Sequence, residues 1–258
     1  MAAAANDSAK LLTAVRDWWR EQARAKGARA ASSLLLRELC EFVRDSTPER
    51  RRSRFGDMEY DWEHHVNTTS GSVGWRERLL GVFHSAYQPT EQVAFREMMA
   101  ALPIDFLEFT FVDIGSGKGR VLLMASEYPF SKIVGVELME ELHRIAQENI
   151  AAYQVQKATA NPNRAGAQTP VLIESVCVDA REFVLPKTPL VIYLFNPLPE
   201  AGLRQVIRNL ENSYSRAPRP IWIVYHNPVL EHVLSESPLL VKWTGNPEHS
   251  VFQFRRIK

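Results

Sequence analysis

Three glycines at alternate positions behind an acid, Asp113-Ile114-Gly115-Ser116-Gly117-Lys118-Gly119, are the residues of this chain whose types and spacing point most directly to chemistry. Apolar Phe111 and Val112 run into them, so the pattern is a strand that stops at a carboxylate and turns at once. Glycine in such a turn allows positive φ and lets a ligand approach the backbone without meeting a Cβ. Arg120 to Tyr128 then predicts a helix whose N-terminal N–H groups face the same point, an arrangement suited to a polar or anionic ligand group. Eighteen residues past Gly119 a second apolar run, Ile133-Val134-Gly135-Val136, ends in Glu137. In a dinucleotide-type fold an acid at that distance is placed to accept ribose hydroxyls.

The spacing narrows the ligand. A dinucleotide fingerprint is G-x-G-x-x-G, and a Walker loop needs G-x-x-x-x-G-K-[ST]; the pattern here is Asp-x-Gly-x-Gly-x-Gly. It resembles the first motif of the class I (Rossmann-fold) S-adenosylmethionine-dependent methyltransferases. That resemblance implies S-adenosyl-L-methionine as cofactor, held by Asp113, Gly115, Ser116, Gly117 and Gly119, with Glu137 on the ribose and Leu138 beside it. It continues in order along roughly residues 87 to 258. Ser175-Val176-Cys177-Val178-Asp179-Ala180 is similar to the family's third strand and its acidic end, which puts Asp179 and Ala180 at the adenine. Pro189 to Phe195 is a continuous apolar run, as a parallel strand buried on both faces requires, and delivers Asn196-Pro197-Leu198-Pro199. Ile221 to Tyr225 ends in His226-Asn227-Pro228, and Leu239 to Thr244 with Ser250 to Arg255 flank Gly245-Asn246-Pro247 as a hairpin. The expected fold is α/β: a Rossmann-like, seven-stranded, mostly parallel sheet with an antiparallel C-terminal hairpin, plus an N-terminal helical cap. Residues 1–89 are expected to form that cap or lid and residues 90–258 the cofactor-binding core.

On the cofactor side the chain is also similar to the non-SET histone lysine methyltransferases, through the spacing of Tyr87, Thr90, Asp113, Glu137 and the strand ending in Phe195-Asn196. More broadly it looks like a set of bacterial methyltransferases of this class whose acceptors are unassigned. The resemblance implies that Tyr87 and Thr90 pass beside the methionine end of the cofactor and that Asn196 sits beside the sulfonium. From the residues alone, Thr90 also reads as an N-cap for a helix over Glu91 to Leu102. Methyl transfer requires a lone pair brought in line with the methyl carbon and water kept out. An amine of pKa about 10.4 must also arrive neutral. The family's (Asn/Asp)-Pro-Pro-aromatic motif offers carbonyl acceptors and an aromatic wall; here Asn196 and Pro197 are kept while Leu198 and Pro199 replace the rest. Asn196, Tyr87, Phe195 and His226 are the candidate catalytic residues, with Tyr193 and Tyr225 as further sources of a wall. Asn196 as a turn residue and His226 as a structural histidine are the plain alternatives.

Composition sets bounds. A chain of 258 residues that is 45% hydrophobic suits one α/β domain with an appendage. The net charge of +1 provides no field that would drive the whole molecule onto nucleic acid or membrane. Residues 1–54 nevertheless hold 12 Lys and Arg against 7 Asp and Glu, ending in the basic run Arg50-Arg51-Arg52-Ser53-Arg54. Leu11 to Ala25 and Ser32 to Val43 predict amphipathic helices there. Phe55 to Pro89 reads as irregular and dense in aromatics. Its adjacent His64 and His65 match no metal-ligand spacing, and no metal is expected. Cys40 and Cys177 read as small apolar fillers, the second inside a buried strand. No bilayer-spanning run occurs, Asp7, Asp17 and Glu21 speak against a transit peptide, and a cytoplasmic location is expected. The expected acceptor is a protein amine, with a small-molecule nitrogen or oxygen next, and a cofactor-binding module without catalysis is the rival reading. A nucleic-acid acceptor is disfavoured, for want of a recognisable RNA-binding module.

Overall fold

The computed structural model describes residues 15, 16, 19, 20, 22–24, 27–45, 58–68, 90–160 and 171–255. The basic run 50–54 and Tyr87 lie outside them. The chain divides into two units, Met1–Tyr60 with Thr69–Gln88, and Asp61–Thr68 with Pro89–Lys258. In the first unit the principal helix is α1 (Ala28–Asp45), which starts after Gly27 at φ 86°. Trp19 Nε1 donates to Ser32 Oγ at 3.2 Å in this unit. A second helix, α2 (Met58–His64), occupies part of the stretch expected to be irregular and crosses the division after Tyr60.

The second unit is a seven-stranded sheet in the order β3-β2-β1-β4-β5-β7-β6. The strands are β1 (Thr110–Ile114), β2 (Lys132–Glu137), β3 (Leu172–Cys177), β4 (Leu190–Leu194), β5 (Ile221–His226), β6 (Leu240–Gly245) and β7 (His249–Phe254). Every residue of β1 and β4 is buried, which is why their sequences are unbroken apolar runs apart from Thr110, Asp113 and Tyr193. Burying each Val, Ile or Leu on these strands stabilises the fold by about 1.5–3 kcal/mol, so the sheet centre is its strongest part. Helices close both faces: α3 (Gln92–Ala100), α4 (Arg120–Ala125), α5 (Glu140–Ala160), α6 (Glu200–Arg216) and α7 (Glu231–Ser235). On α6 the buried Leu203, Val206, Ile207, Leu210 and Tyr214 recur at helical spacing and join the core of β1, β4 and β5.

Parallel register aligns the carboxyl ends of the central strands: Ile114 lies opposite Val136 and Leu194, and Leu194 opposite Tyr225. The chain winds outward from β1 to β2 and β3, then returns to β4 on the other side of β1. That reversal opens a crevice at the ends of β1 and β4, where ligands of open α/β sheets bind. β7 inserts antiparallel between β5 and β6.

Three expectations are corrected. β3 runs from Leu172 to Cys177, so Asp179 and Ala180 lie in the loop beyond it. Cys177 is exposed, because β3 is the sheet's edge. The helix after the glycines ends at Ala125, capped by Ser126. Among the described residues no helix is long and apolar enough to cross a membrane.

Candidate active site

The glycine turn has the backbone its sequence demands. Gly115, Gly117 and Gly119 take φ of 79°, 53° and 84°, a region L side chains rarely adopt. A Cβ at Gly115 would collide with the Cβ of Pro197, which follows Asn196. The turn is therefore packed against the loop that ends β4. Val136 O accepts from the amides of Gly115 at 2.8 Å and Ser116 at 3.1 Å, anchoring the turn to β2.

Glu137 closes β2 and binds the same turn. Its Oε2 accepts from Gly117 N and its Oε1 from Met139 N, both at 2.8 Å. Burial raises its pKa, opposed by the Met139, Gly117 and Leu138 amides. Asp113 is 3% exposed, and no described residue hydrogen-bonds its carboxylate. Burial, then the charge of Glu137, holds its pKa well above the ordinary carboxylate value. Ser116 Oγ is likewise buried without a partner among the described residues. These groups fit S-adenosylmethionine: a turn of three left-handed glycines, a buried carboxylate suited to a cation, and a second acid with lone pairs to spare for hydroxyls. Among the described residues no cluster of His, Cys, Asp or Glu could hold a metal.

At the far end of the crevice Leu138 is 41% exposed and Ala180 half-buried, leaving an apolar surface open to a ligand. Asp179 is engaged by Arg181, whose Nε lies 2.9 and 3.0 Å from its two oxygens and whose Nη2 lies 2.5 Å from Oδ2. An adenine amino group would share this carboxylate with Arg181.

At the ends of β4 and β5 the structure links residues that the sequence left separate. Thr90 caps no helix; Glu91 is the N-cap of α3, without a side-chain bond. Thr90 Oγ1 instead lies 2.8 Å from Tyr193 Oη, which lies 2.9 Å from His226 Nδ1. Thr90 has no other hydrogen-bond partner among the described residues. With Thr90 donating to Tyr193 and Tyr193 to His226 Nδ1, both hydroxyls of this chain of bonds are paired, and the imidazole would then carry its hydrogen on Nε2. Burial, helped by His249, lowers the His226 pKa to about 4, so the ring is neutral at pH 7. It stacks on Phe195 with centroids 4.1 Å apart.

Asn196 takes φ 45°, donates from Nδ2 to Asn227 O at 2.7 Å, and accepts at Oδ1 from Tyr225 Oη at 2.8 Å. Its amide is thereby fixed, and one lone pair on Oδ1 remains. Burial raises the pKa of Tyr193 and Tyr225 as well. Asn196, Phe195, His226 and Thr90 are thus brought to one end of the sheet. Sequence reading missed Asn67, Asn149 and Lys118, which hydrogen-bond one another behind the glycine turn. Only the unexplained lysine between two glycines could have signalled them.

The family Histone methylation protein DOT1 matches residues 90–159, which is 70 of the 258 residues. Comparison with curated proteins finds no match. Among solved structures, an RNA methyltransferase from Salinibacter ruber in complex with S-adenosyl-L-homocysteine is 17% identical at a TM-score of 0.43, over 65% of this chain and 92% of its own. The ribosomal protein L11 methylase from Lactobacillus delbrueckii subsp. bulgaricus is 15% identical at 0.40, over 64% and 76%. A precorrin-6y C5,15-methyltransferase from Geobacter metallireducens is 16% identical at 0.43, over 65% and 90%. These likenesses are loose, and they single out no acceptor class. The DOT1 match, however, runs from Thr90 through the glycine turn and past Glu137, on a sheet with an antiparallel strand inserted near its end. Over residues 90–159 the chain is thus similar to a methylation-protein family, and its sheet is the seven-stranded, mostly parallel one of a Rossmann-like methyltransferase fold.

Proposed function

We propose that this chain is a class I S-adenosylmethionine-dependent methyltransferase that methylates a protein amine, a lysine-type nitrogen. The supporting observation is Asn196, whose amide is fixed by Tyr225 and Asn227 with a lone pair of Oδ1 unused. When bound, S-adenosylmethionine supplies a methyl carbon on a sulfonium leaving group, so the protein's own work is to position, desolvate and exclude water. In this reading Asp113 and the three glycines hold the methionine end and Glu137 the ribose. Asp179, with Leu138 and Ala180, meets the adenine, and Thr90 flanks the transferred methyl. Asn196 Oδ1 accepts a proton of the neutral amine. The Phe195–His226 pair is the wall that the family motif takes from its aromatic, since Pro199 here is the N-cap of α6. No side chain at the ends of β4 and β5 is a strong base at neutral pH, which favours an acceptor that sheds its proton to water over an alcohol that needs a base.

The departure at Leu198 and Pro199 favours a second reading, a small-molecule nitrogen or oxygen acceptor. Incubation with radiolabelled cofactor and fractionated lysate decides between them. Label in protein, recovered as methyl-lysine after hydrolysis, supports the first reading. Label confined to the small-molecule or nucleic-acid fraction overturns it.

A further inference from the structure

The glycine turn is backed by a connected set of polar side chains, of which Lys118, Asn149, Asp61 and Thr68 are buried and Asn67 is exposed. Asn149, on α5 and 4% exposed, accepts at Oδ1 from Asn67 N at 2.8 Å. Its Nδ2 donates to Asn67 O and to Lys118 O, both at 2.9 Å. Lys118 is fully buried and donates from Nζ to Asn67 Oδ1 at 3.2 Å. Asp61 accepts from Thr68 N at 2.8 Å and from the Thr68 hydroxyl, which closes the segment Asp61–Thr68 on itself. The same segment is tied along α5 by Gln156 Nε2 to Glu63 O at 2.8 Å and by the His64 ring edge-on to Tyr153.

We propose that Asn67, Asn149 and Lys118 act as a brace that sets the glycine turn for the cofactor, so that Asp61–Thr68 is part of the cofactor site without being one of its contacts. Lys118 stands between Gly117 and Gly119, both left-handed and both costly to order because glycine has most freedom to lose. Its carbonyl is fixed by Asn149 and its ammonium by Asn67, while Glu137 fixes the Gly117 amide from the other side. Three hydrogen bonds thus hold the turn, two of them on peptide groups that glycine alone would leave free. Burying a lysine for packing alone is unfavourable, since desolvation lowers its pKa to about 8 even with Asp61 and Glu141 nearby. The arrangement makes sense where the turn's geometry matters more than local stability. Coupling of this kind is reciprocal, so a ligand in the turn must also tighten the brace.

The probe is S-adenosyl-L-homocysteine, whose binding needs no methyl acceptor. Titration calorimetry on Asn149→Ala is expected to give about a tenfold weaker affinity, equivalent to one lost hydrogen bond. Asn67→Ala removes the Lys118 contact and keeps both backbone bonds, so it serves if Asn149→Ala fails to fold; a loss of about threefold or more is expected. In wild type, the ligand should slow hydrogen exchange at the Asn67 and Thr68 amides. A folded variant that melts earlier yet binds within about twofold of wild type would show that these bonds merely hold the segment on α5, and would overturn the brace. So would amide exchange at Asn67 and Thr68 that the ligand leaves unchanged. Wild type that fails to bind the probe would instead sink the assignment of the turn to this cofactor.

Discussion

Glu137 holds the Gly117 and Met139 amides with one carboxylate, and in the proposed function the lone pairs that remain take the ribose. Glu137→Ala should therefore weaken S-adenosyl-L-homocysteine binding on the order of a hundredfold, from two charge-assisted bonds at about 1.5–3 kcal/mol each. Calorimetry giving a loss of threefold or less would count against the ribose role. Asp113 and Glu137 also share a low-dielectric space, and burial raises both pKa values. A sulfonium and an ammonium entering that space favour the ionised acids, so S-adenosylmethionine binding should release protons and weaken as pH falls. Calorimetry in buffers of different ionisation enthalpy reads the proton count directly. His226 has the opposite charge type and the opposite shift. Its folded pKa of about 4 lies below the ordinary 6.5, so an unfolded chain takes up that proton first as the solution is acidified. The resulting stability is complete above pH 6.5 and is lost towards pH 4. His226→Gln should flatten the melting-temperature slope in that window, and an imidazole NMR titration with a midpoint near 6.5 would contradict the burial argument.

At the scale of elements, the parts that could be read from sequence are those whose physics is local. β1, β2, β4 and β5 emerge from the sequence nearly at their true ends. They are apolar on both faces and stop at an acid, a glycine or an Asn-Pro, leaving one structural interpretation. β3 was misplaced because an edge strand needs no such run: Leu172-Ile173-Glu174-Ser175-Val176-Cys177 alternates weakly and half of it meets water. α2 hid among aromatics because seven residues are too few to establish a period. The Thr90–Tyr193–His226 relay and the Asn67–Asn149 pair were illegible for another reason. Their partners lie 103, 33 and 82 residues apart, and only the closed sheet brings them together. The contact between the glycine turn and the β4 loop is of the same kind and is testable. Gly115→Ala places a methyl into Pro197 at a left-handed φ, so it should lower the melting temperature and weaken S-adenosyl-L-homocysteine together. A variant that melts normally and binds normally would mean that the β4 loop yields freely.

For the whole molecule, the division of the chain suggests where to cut it. Asp61–Thr68 counts with the sheet, so removing residues 1–57 should leave S-adenosyl-L-homocysteine affinity within a few-fold, provided the remainder is soluble, whereas a chain starting at Thr90 should lose it. Methylation of the true acceptor should fall on the shorter cut if the basic first 54 residues help to read it, and normal turnover would retire that idea. The order of the strands has a further consequence, for synthesis on the ribosome. β6 is made before β7 but lies outside it and touches no other strand, while β5 finds its outer neighbour only in β7. A nascent chain that has emerged only as far as Gly245 therefore holds a five-stranded sheet with the Ile221–Tyr225 edge open, and a β6 segment with nothing to pair to. Until β7 emerges, that edge is a template for any other extended chain, so chaperone dependence and aggregation on translational arrest should be concentrated between the emergence of β5 and that of β7.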